Sequence, residues 1–292
     1  MTPRLCTAAL AYPRGELPFI EEWLEYHLAL GVEHVFLALH VNEDLLAPHK
    51  YLTVRRPYPG MYKLEGTEAD VVGEFLAAVR PFSDHVTTYL LHRVYEAEPH
   101  GHRAAQRHLY NSVLAMHRDT YDWICPHDID EYLVPQAPFE TLGDALADCP
   151  DRYAAVVAEQ VIVRPRWDGD DRRPRPAPLI VPDLPRCSEI VPSDQAHHGV
   201  KTFVRCHAAT ALDLHLPYLV AGAQALVDRR ILQYHFHGFP ADTEAPPARV
   251  VPIEHQVFDT TDDRPWRLLQ ALRSGQDQEP PRTDSRLDGS RR

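Results

Sequence analysis

Apolar and polar positions follow two periods along the first part of the chain. Leu5 to Ala11 is a mostly apolar run that predicts a buried strand, broken at Tyr12-Pro13-Arg14-Gly15, a turn sequence. Pro18 then opens a helix: Phe19, Ile20, Trp23, Leu24, His27 and Leu28 recur on one helical face, Glu21, Glu22 and Glu25 fall elsewhere, and Gly31 supplies the stop. Val35 to Leu39 is a second apolar run. Strand, helix and strand in close succession make a βαβ unit, which implies a parallel sheet whose carboxyl ends border a ligand crevice. The loops after the two strands carry Arg14, Glu16, Asn42 and Asp44, which face that crevice on this reading; each one singly reads more readily as a plain turn residue.

Residues 45–66, with Pro48, Pro57, Pro59 and Gly60, lack a period and read as a flap. Thr67 with Asp70 resembles a helix cap, and Val71, Val72, Phe75, Leu76 and Val79 predict a helix ending near Pro81. Val86 to Leu91 reads as a strand, Arg103 to Arg118 as a helix, Trp123 to Cys125 as a strand and Leu142 to Ala147 as a short helix. Ala154 to Val163 is a continuous apolar strand interrupted only by Glu159 and Gln160. Residues 164–186 are rich in Pro and Arg and read as a mobile loop of the kind that covers active sites. Val200 to Cys206, the segment around His215 and Ile231 to Phe236 read as extended. Asp263, Pro265, Trp266, Leu269 and Leu272 predict a last helix, and residues 276–292 a disordered tail. No internal repeat is present, so the expectation is a single α/β domain over residues 1–275.

A chain of 292 residues that is 44% apolar can bury one substantial core. Its net charge of −12 argues against a nucleic-acid binder, which carries a basic footprint. The five cysteines are widely spaced without a Cys-x-x-Cys pair, which fits reduced thiols in a cytoplasmic protein. The first residues are too weakly apolar for a signal peptide, and no run reaches the roughly 18 apolar residues of an integral membrane segment.

The chemistry concentrates at Tyr121 to Pro135. An apolar run leads directly into Asp128, Asp130 and Glu131 and returns to Tyr132, Leu133 and Val134. If the run is a strand, its alternation delivers Asp128 and Asp130 to one side, and like charges held that close are costly unless a cation lies between them. Hard oxygen ligands suit Mg²⁺, Mn²⁺ or Ca²⁺. An Asp-x-Asp alone reads more readily as a solvated turn; the apolar flanks shift the reading towards the metal.

Several stretches, taken in order, resemble the family 2-like and family 92-like glycosyltransferases. They are Glu22-Trp23-Leu24-Glu25-Tyr26-His27 through Gly31-Val32-Glu33-His34, Gln106 with Tyr110-Asn111, Trp123-Ile124, and Asp128-Ile129-Asp130-Glu131-Tyr132-Leu133-Val134-Pro135. Lys201-Thr202-Phe203-Val204-Arg205, His215 with Pro217, and Tyr234-His235 continue the series. The resemblance spans most of residues 5–240. It implies a GT-A fold, a Rossmann-like α/β sandwich with a mixed, mostly parallel sheet, which binds a UDP- or GDP-sugar donor with Mn²⁺ or Mg²⁺ and transfers the sugar to a hydroxyl acceptor. Asp128 and Asp130 would hold the ion against the diphosphate, His235 or else His215 would complete its coordination, and Lys201 and Arg205 would meet phosphate oxygens, with Gln106 also among the donor contacts.

Family 2-like enzymes generally invert configuration, so a carboxylate is expected on the acceptor side, and Glu189, Asp194 and Glu159 are the candidates. The chain departs from the family pattern at Pro13-Arg14-Gly15-Glu16 and at His40-Val41-Asn42-Glu43-Asp44, which removes the usual basis for base contacts, and Pro126 predicts that the strand ends or bulges there. A metal-dependent nucleotidyltransferase or phosphohydrolase, and a non-catalytic nucleotide-sugar-binding module, are the alternatives.

Overall fold

Every residue of β1 (Leu5–Ala11) is buried in the computed structural model, which describes residues 2–11, 16–41, 68–92, 101–165, 186–190, 200–236 and 257–258. Burial on both faces is what an almost wholly apolar strand requires. β1 lies between β2 (His34–Val41) and β4 (Trp123–Ile124), parallel to both, and β3 (Val86–His92) extends the parallel set beyond β2. Alternation sends Leu5, Ala9 and Ala11 to one face and Cys6, Ala8 and Leu10 to the other. The first face packs against Trp23 and Leu24 of α1 (Ile20–Ala29) and Val71, Phe75 and Val79 of α2 (Glu68–Val79). The second packs against Ala105, Leu109, Tyr110 and Val113 of α3 (Gly101–His117). Gly31 ends α1 with φ +94°, a conformation that only glycine adopts cheaply.

The sheet continues past β4 through reversed strands. β8 (Lys201–Arg205) runs antiparallel to β4, β6 (Tyr153–Pro165) antiparallel to β8, β11 (Gln224–Phe236) parallel to β6, and β5 (Glu131–Pro135) antiparallel to β11. β7 (Arg186–Ile190) pairs with the far half of β6, with β12 (Val257–Phe258) beyond it. These form one 10-stranded sheet. β1 to β4, β6, β11 and β12 share one direction and β5, β7 and β8 take the other, so the sheet is mixed and mostly parallel. The Rossmann-like α/β architecture expected from the sequence is therefore borne out. β9 (Ala209–Ala211) and β10 (Tyr218–Leu219) make a separate two-stranded sheet, and α4 (Leu142–Ala147) packs on the α1 side of the core.

The sheet is curled where it meets the acidic stretch. β5 and β8 are separated by β11 and β6, about 14 Å in a flat sheet, yet Glu131 at the start of β5 and Lys201 at the start of β8 are in contact at 3.1 Å. No helix among the described residues is long and apolar enough to cross a membrane.

Several details differ from expectation. Pro18 belongs to a 3₁₀ turn, Leu17–Phe19, that precedes α1. The loop expected over 164–186 loses its ends to strands, because β6 runs to Pro165 and β7 starts at Arg186. β11 starts at Gln224, well before Ile231; its charged Asp228-Arg229-Arg230 segment sits at a register shift, which hid the strand's alternation. The flap at 45–66, the last helix near Trp266 and the tail at 276–292 lie outside the described residues.

Candidate functional site

β4 keeps pairing with β1 after it has left β8. The N–H groups of Cys125 and His127 reach the carbonyls of Cys6 and Ala8, so odd positions face β1, and Pro126, which has no N–H, falls on the side that would have faced β8. The chain is thereby released at the carboxyl edge of the parallel strands. Residues 128–131 then close a turn: the Glu131 N–H donates to the Asp128 carbonyl at 3.1 Å, and the Asp128 N–H donates to Glu131 Oε2 at 2.8 Å. α1 grips this turn from below, since the Trp23 indole N–H is shared between the carbonyls of Asp128 (3.1 Å) and Glu131 (3.0 Å).

The residues around Trp23 are buried and interlocked. His27 Nδ1–H donates to the Trp23 carbonyl at 2.9 Å, and its Nε2 faces His127 Nε2 at 3.2 Å and the Leu133 N–H at 3.4 Å. Tyr132 donates to Glu22 and Tyr26 to the Leu133 carbonyl. Burial holds both imidazoles neutral: His27 is well below its ordinary range and His127 is lowered to about 3. The Glu22-Trp23 and Tyr26-His27 landmarks thus support the acidic turn from within the core.

Strand register gathers the site. Ala158 stands opposite Lys201, Gln160 opposite Gln233, Leu133 opposite Gln233 and Glu131 opposite His235. Paired residues share a face, as do residues two apart, so Lys201, Gln160, Gln233, His235 and Glu131 line one face of the curled sheet. Lys201, 1% exposed, places Nζ 2.9 Å from Asp128 Oδ2 and 3.1 Å from Glu131 Oε2. Gln106 of α3 donates to the other Asp128 oxygen at 2.6 Å. His235 Nε2 lies 3.2 Å from Asp130 Oδ2, while its Nδ1 meets the Gln160 carboxamide and lies 3.7 Å from Glu131 Oε1.

The charges set one another. Burial pushes Glu131 up to about 7, with Lys201 opposing and Asp128 adding to the rise. Burial would also raise Asp128, but the Lys201 ammonium outweighs it and holds that carboxyl low. Burial disfavours the charged Lys201 too, yet Asp128 and Glu131 together raise it. His235 is raised to about 9, because Asp130, Glu131 and Asp128 overcome its desolvation.

Asp128 and Asp130 therefore part company. Because 128–131 is a turn and not a strand end, alternation does not bring the two aspartates to one side: Asp128 is held by Lys201 and Gln106, and Asp130 turns to His235. Among the described residues the group able to hold a metal ion is Asp130, Glu131 and His235, whose ligand atoms lie within 4.8 Å of one another. The 3.2 Å between His235 Nε2 and Asp130 Oδ2 fits neighbouring ligands of an octahedral ion, whose edges are about 3 Å for bonds near 2.1 Å. Two carboxylates with an imidazole are donors suited to a divalent ion.

Other expected residues fall elsewhere. Arg205 sits at the far end of β8 from Lys201, over the Trp123 ring at 4.5 Å and donating to the carbonyls of Tyr153 and Cys149, which corrects the expectation of a phosphate contact. Glu159 points to the opposite face from Gln160 by alternation and pairs with Arg229 at 3.1 Å, so it does not face the acidic turn as expected of a base. His215 lies in a bend between β9 and β10 with Nδ1 on the Val200 carbonyl, near enough to Lys201 and Asp128 to feel their charges but not one of the three metal-ligating residues. Glu16 is buried just before the 3₁₀ turn. The backbone of Glu189 stands opposite Ile162 and Val257; Arg14, Asn42 and Asp194 lie outside the described residues. Glu131, Trp23 and Gln160 were not among the expected site residues. Gln160 had one signal, a polar interruption of an otherwise apolar strand.

No family model matches the chain, and none of the curated proteins does. Among solved structures, HddC from Yersinia pseudotuberculosis aligns over 92% of this chain and 99% of its own, at 11% identity and a TM-score of 0.33. UDP-glucose pyrophosphorylase complexed with UDP-glucose aligns over 96% and 100%, at 8% identity and a TM-score of 0.28. The apo form of a UDP-glucose pyrophosphorylase aligns over 94% and 98%, at 7% identity and a TM-score of 0.27. Similarity at this level carries no argument about chemistry, which rests on the site's own residues.

Proposed function

We propose that the protein is a metal-dependent glycosyltransferase that moves a sugar from a nucleoside-diphosphate sugar to a hydroxyl acceptor. The observation that carries this reading is the convergence of Asp130, Glu131 and His235 at the carboxyl edge of the parallel strands, where α/β sheets bind their ligands. These three residues would hold Mn²⁺ or Mg²⁺, which would supply positive charge against a departing nucleoside diphosphate without proton transfer. Lys201 and Gln106 fix Asp128 at the rim of the site, Trp23 fixes the turn, and Glu131 links the two halves by contacting Lys201 through one oxygen and approaching His235 with the other. Glu189 is retained as a candidate acceptor-side base, and the reaction is expected to invert configuration.

One observation bears on the main alternative. The Lys201 ammonium lies between Asp128 and Glu131 and supplies the positive charge that a second ion would bring, so the site takes one ion and is a poor fit to two-ion phosphohydrolysis. The same cation beside a single ion would serve nucleotidyl transfer, and product analysis separates the two. Thermal-shift titration with UDP and GDP, with and without Mn²⁺, tests the proposal. Stabilisation only with both metal and nucleotide, abolished in Asp130→Asn, supports it, together with release of nucleoside diphosphate from a nucleotide-sugar. Release of pyrophosphate from a nucleoside triphosphate and a sugar phosphate would replace it with nucleotidyl transfer. Nucleotide binding indifferent to metal and to Asp130→Asn would reject it.

A further inference from the structure

We infer that Gln160 is a positioning residue for the metal centre, holding the His235 ring so that Nε2 is the nitrogen turned to the ion. The inference rests on the metal site proposed above and concerns a residue outside its ligand set. His235 is flanked on both ring nitrogens. Nε2 faces Asp130 at 3.2 Å, and Nδ1 meets the NH₂ end of the Gln160 carboxamide, with Glu131 Oε1 also on the Nδ1 side. Gln160 is 8% exposed on β6, directly opposite Gln233 and diagonal to His235 on the same face, so the contact is fixed by sheet register and not by a mobile surface side chain.

An imidazole can lend a lone pair at one nitrogen only if its other nitrogen carries the proton, and that N–H needs an acceptor. With the ion at Nε2, the acceptor must stand at Nδ1, where Gln160 stands. A carboxamide meets the need because a half-turn about its last bond exchanges its NH₂ and oxygen ends, so the group can present oxygen to Nδ1–H. Glu131 Oε1, at 3.7 Å from Nδ1, is too distant for a hydrogen bond, and its charge is wanted at the ion. The only polar break in the apolar core of β6 is thereby explained: Glu159 turns to the opposite face, and Gln160 turns to His235.

The test is Mn²⁺ titration of the full chain, read from the electron paramagnetic resonance signal of free Mn²⁺, in wild type, Gln160→Leu, Gln160→Glu, Asp130→Asn and His235→Ala. Thermal melting of each protein in metal-free buffer accompanies it. Gln160→Leu, close in volume but unable to accept, is expected to weaken Mn²⁺ binding about 10- to 100-fold. Gln160→Glu, which keeps the acceptor, is expected to bind at least as tightly as wild type. A purely structural role predicts instead that Leu and Glu disturb melting and leave the affinity of the folded protein alike, and that result overturns the inference. Unchanged affinity in Gln160→Leu with loss in Asp130→Asn and His235→Ala overturns this inference alone. Unchanged affinity in all four variants, or no binding by wild type, removes the metal site itself.

Discussion

Lys201 Nζ lies 2.9 Å from Asp128 Oδ2 with the lysine side chain 1% exposed, so a full positive charge is enclosed at the base of the acidic turn. It is tolerable there because Glu131 Oε2 lies 3.1 Å away as well, so the ammonium has an acidic partner on each of two sides. Removing the cation alone leaves the buried Glu131 carboxyl facing the partly exposed Asp128 carboxylate. Lys201→Met is therefore expected to cost about 3–5 kcal/mol in urea denaturation, and Lys201→Met combined with Asp128→Asn less than that. A single-variant cost below about 1 kcal/mol, the range of exposed pairs, would show that the triad is solvated in solution.

Trp23 serves the turn through one N–H shared by two carbonyls, those of Asp128 and Glu131. Trp23→Phe keeps an aromatic ring beside His27 and His127, whose centroids lie 4.6 and 4.8 Å from it, while deleting that donor. The expected loss is about 0.5–1.5 kcal/mol of stability, the net worth of a buried hydrogen bond, with weaker Mn²⁺ binding because the turn carrying Asp130 and Glu131 is no longer pinned. Calorimetry and metal titration on the same protein would check both, and unimpaired Mn²⁺ binding would show that the turn holds its shape without α1.

What could be read from the chain divides along the sheet. The run Leu5 to Ala11 and the helical period from Phe19 to Leu28 each carry one clear pattern, because both elements are buried against others in a single way, and they were legible. The acidic stretch was legible as chemistry but not as geometry. Pro126 foretold the end of the β8 ladder, yet nothing local said that residues 128–131 would fold back on themselves and send Asp128 and Asp130 to different partners. Those partners, Lys201, Gln106 and His235, come from three separate elements, and only the curl of the sheet brings them together. Arg205 misled for a related reason: a strand that offers Lys201 at one end offers Arg205 about 13 Å away at the other.

Gln233 is fully buried beside the site face, and neither end of its carboxamide has a hydrogen-bond partner among the described residues. An amide in that position costs stability unless water or a ligand meets it. Gln233→Leu is expected to raise the stability of the metal-free protein by about 1–3 kcal/mol, the penalty of an unmet buried polar group, measured as a shift in the urea midpoint at constant m-value. Destabilisation by a similar amount would mean that the amide is already satisfied by internal water.

His27 gives the fold a dependence on pH whose sign can be worked out. It is fully buried among Trp23, Tyr26, His127 and Tyr132, and burial first, then the neighbouring His127, hold it well below its ordinary value of 6.5. Above pH 6.5 neither the folded nor the unfolded chain protonates it, so its packing contributes in full. As pH falls below that value the unfolded chain takes up a proton that the folded chain refuses, and stability drops by about 1.4 kcal/mol per pH unit for this group. Glu131, raised to about 7, works in the opposite sense between its folded value and the ordinary 4.5, because there the folded chain binds the extra proton. Absolute stability in this window is thus a balance, and the informative quantity is a difference. Urea denaturation at steps from pH 7 to pH 5 should give a steeper decline for wild type than for His27→Gln, by about 1.4 kcal/mol per pH unit below 6.5. Parallel curves for the two proteins would mean that His27 is reached by water and titrates in the folded state.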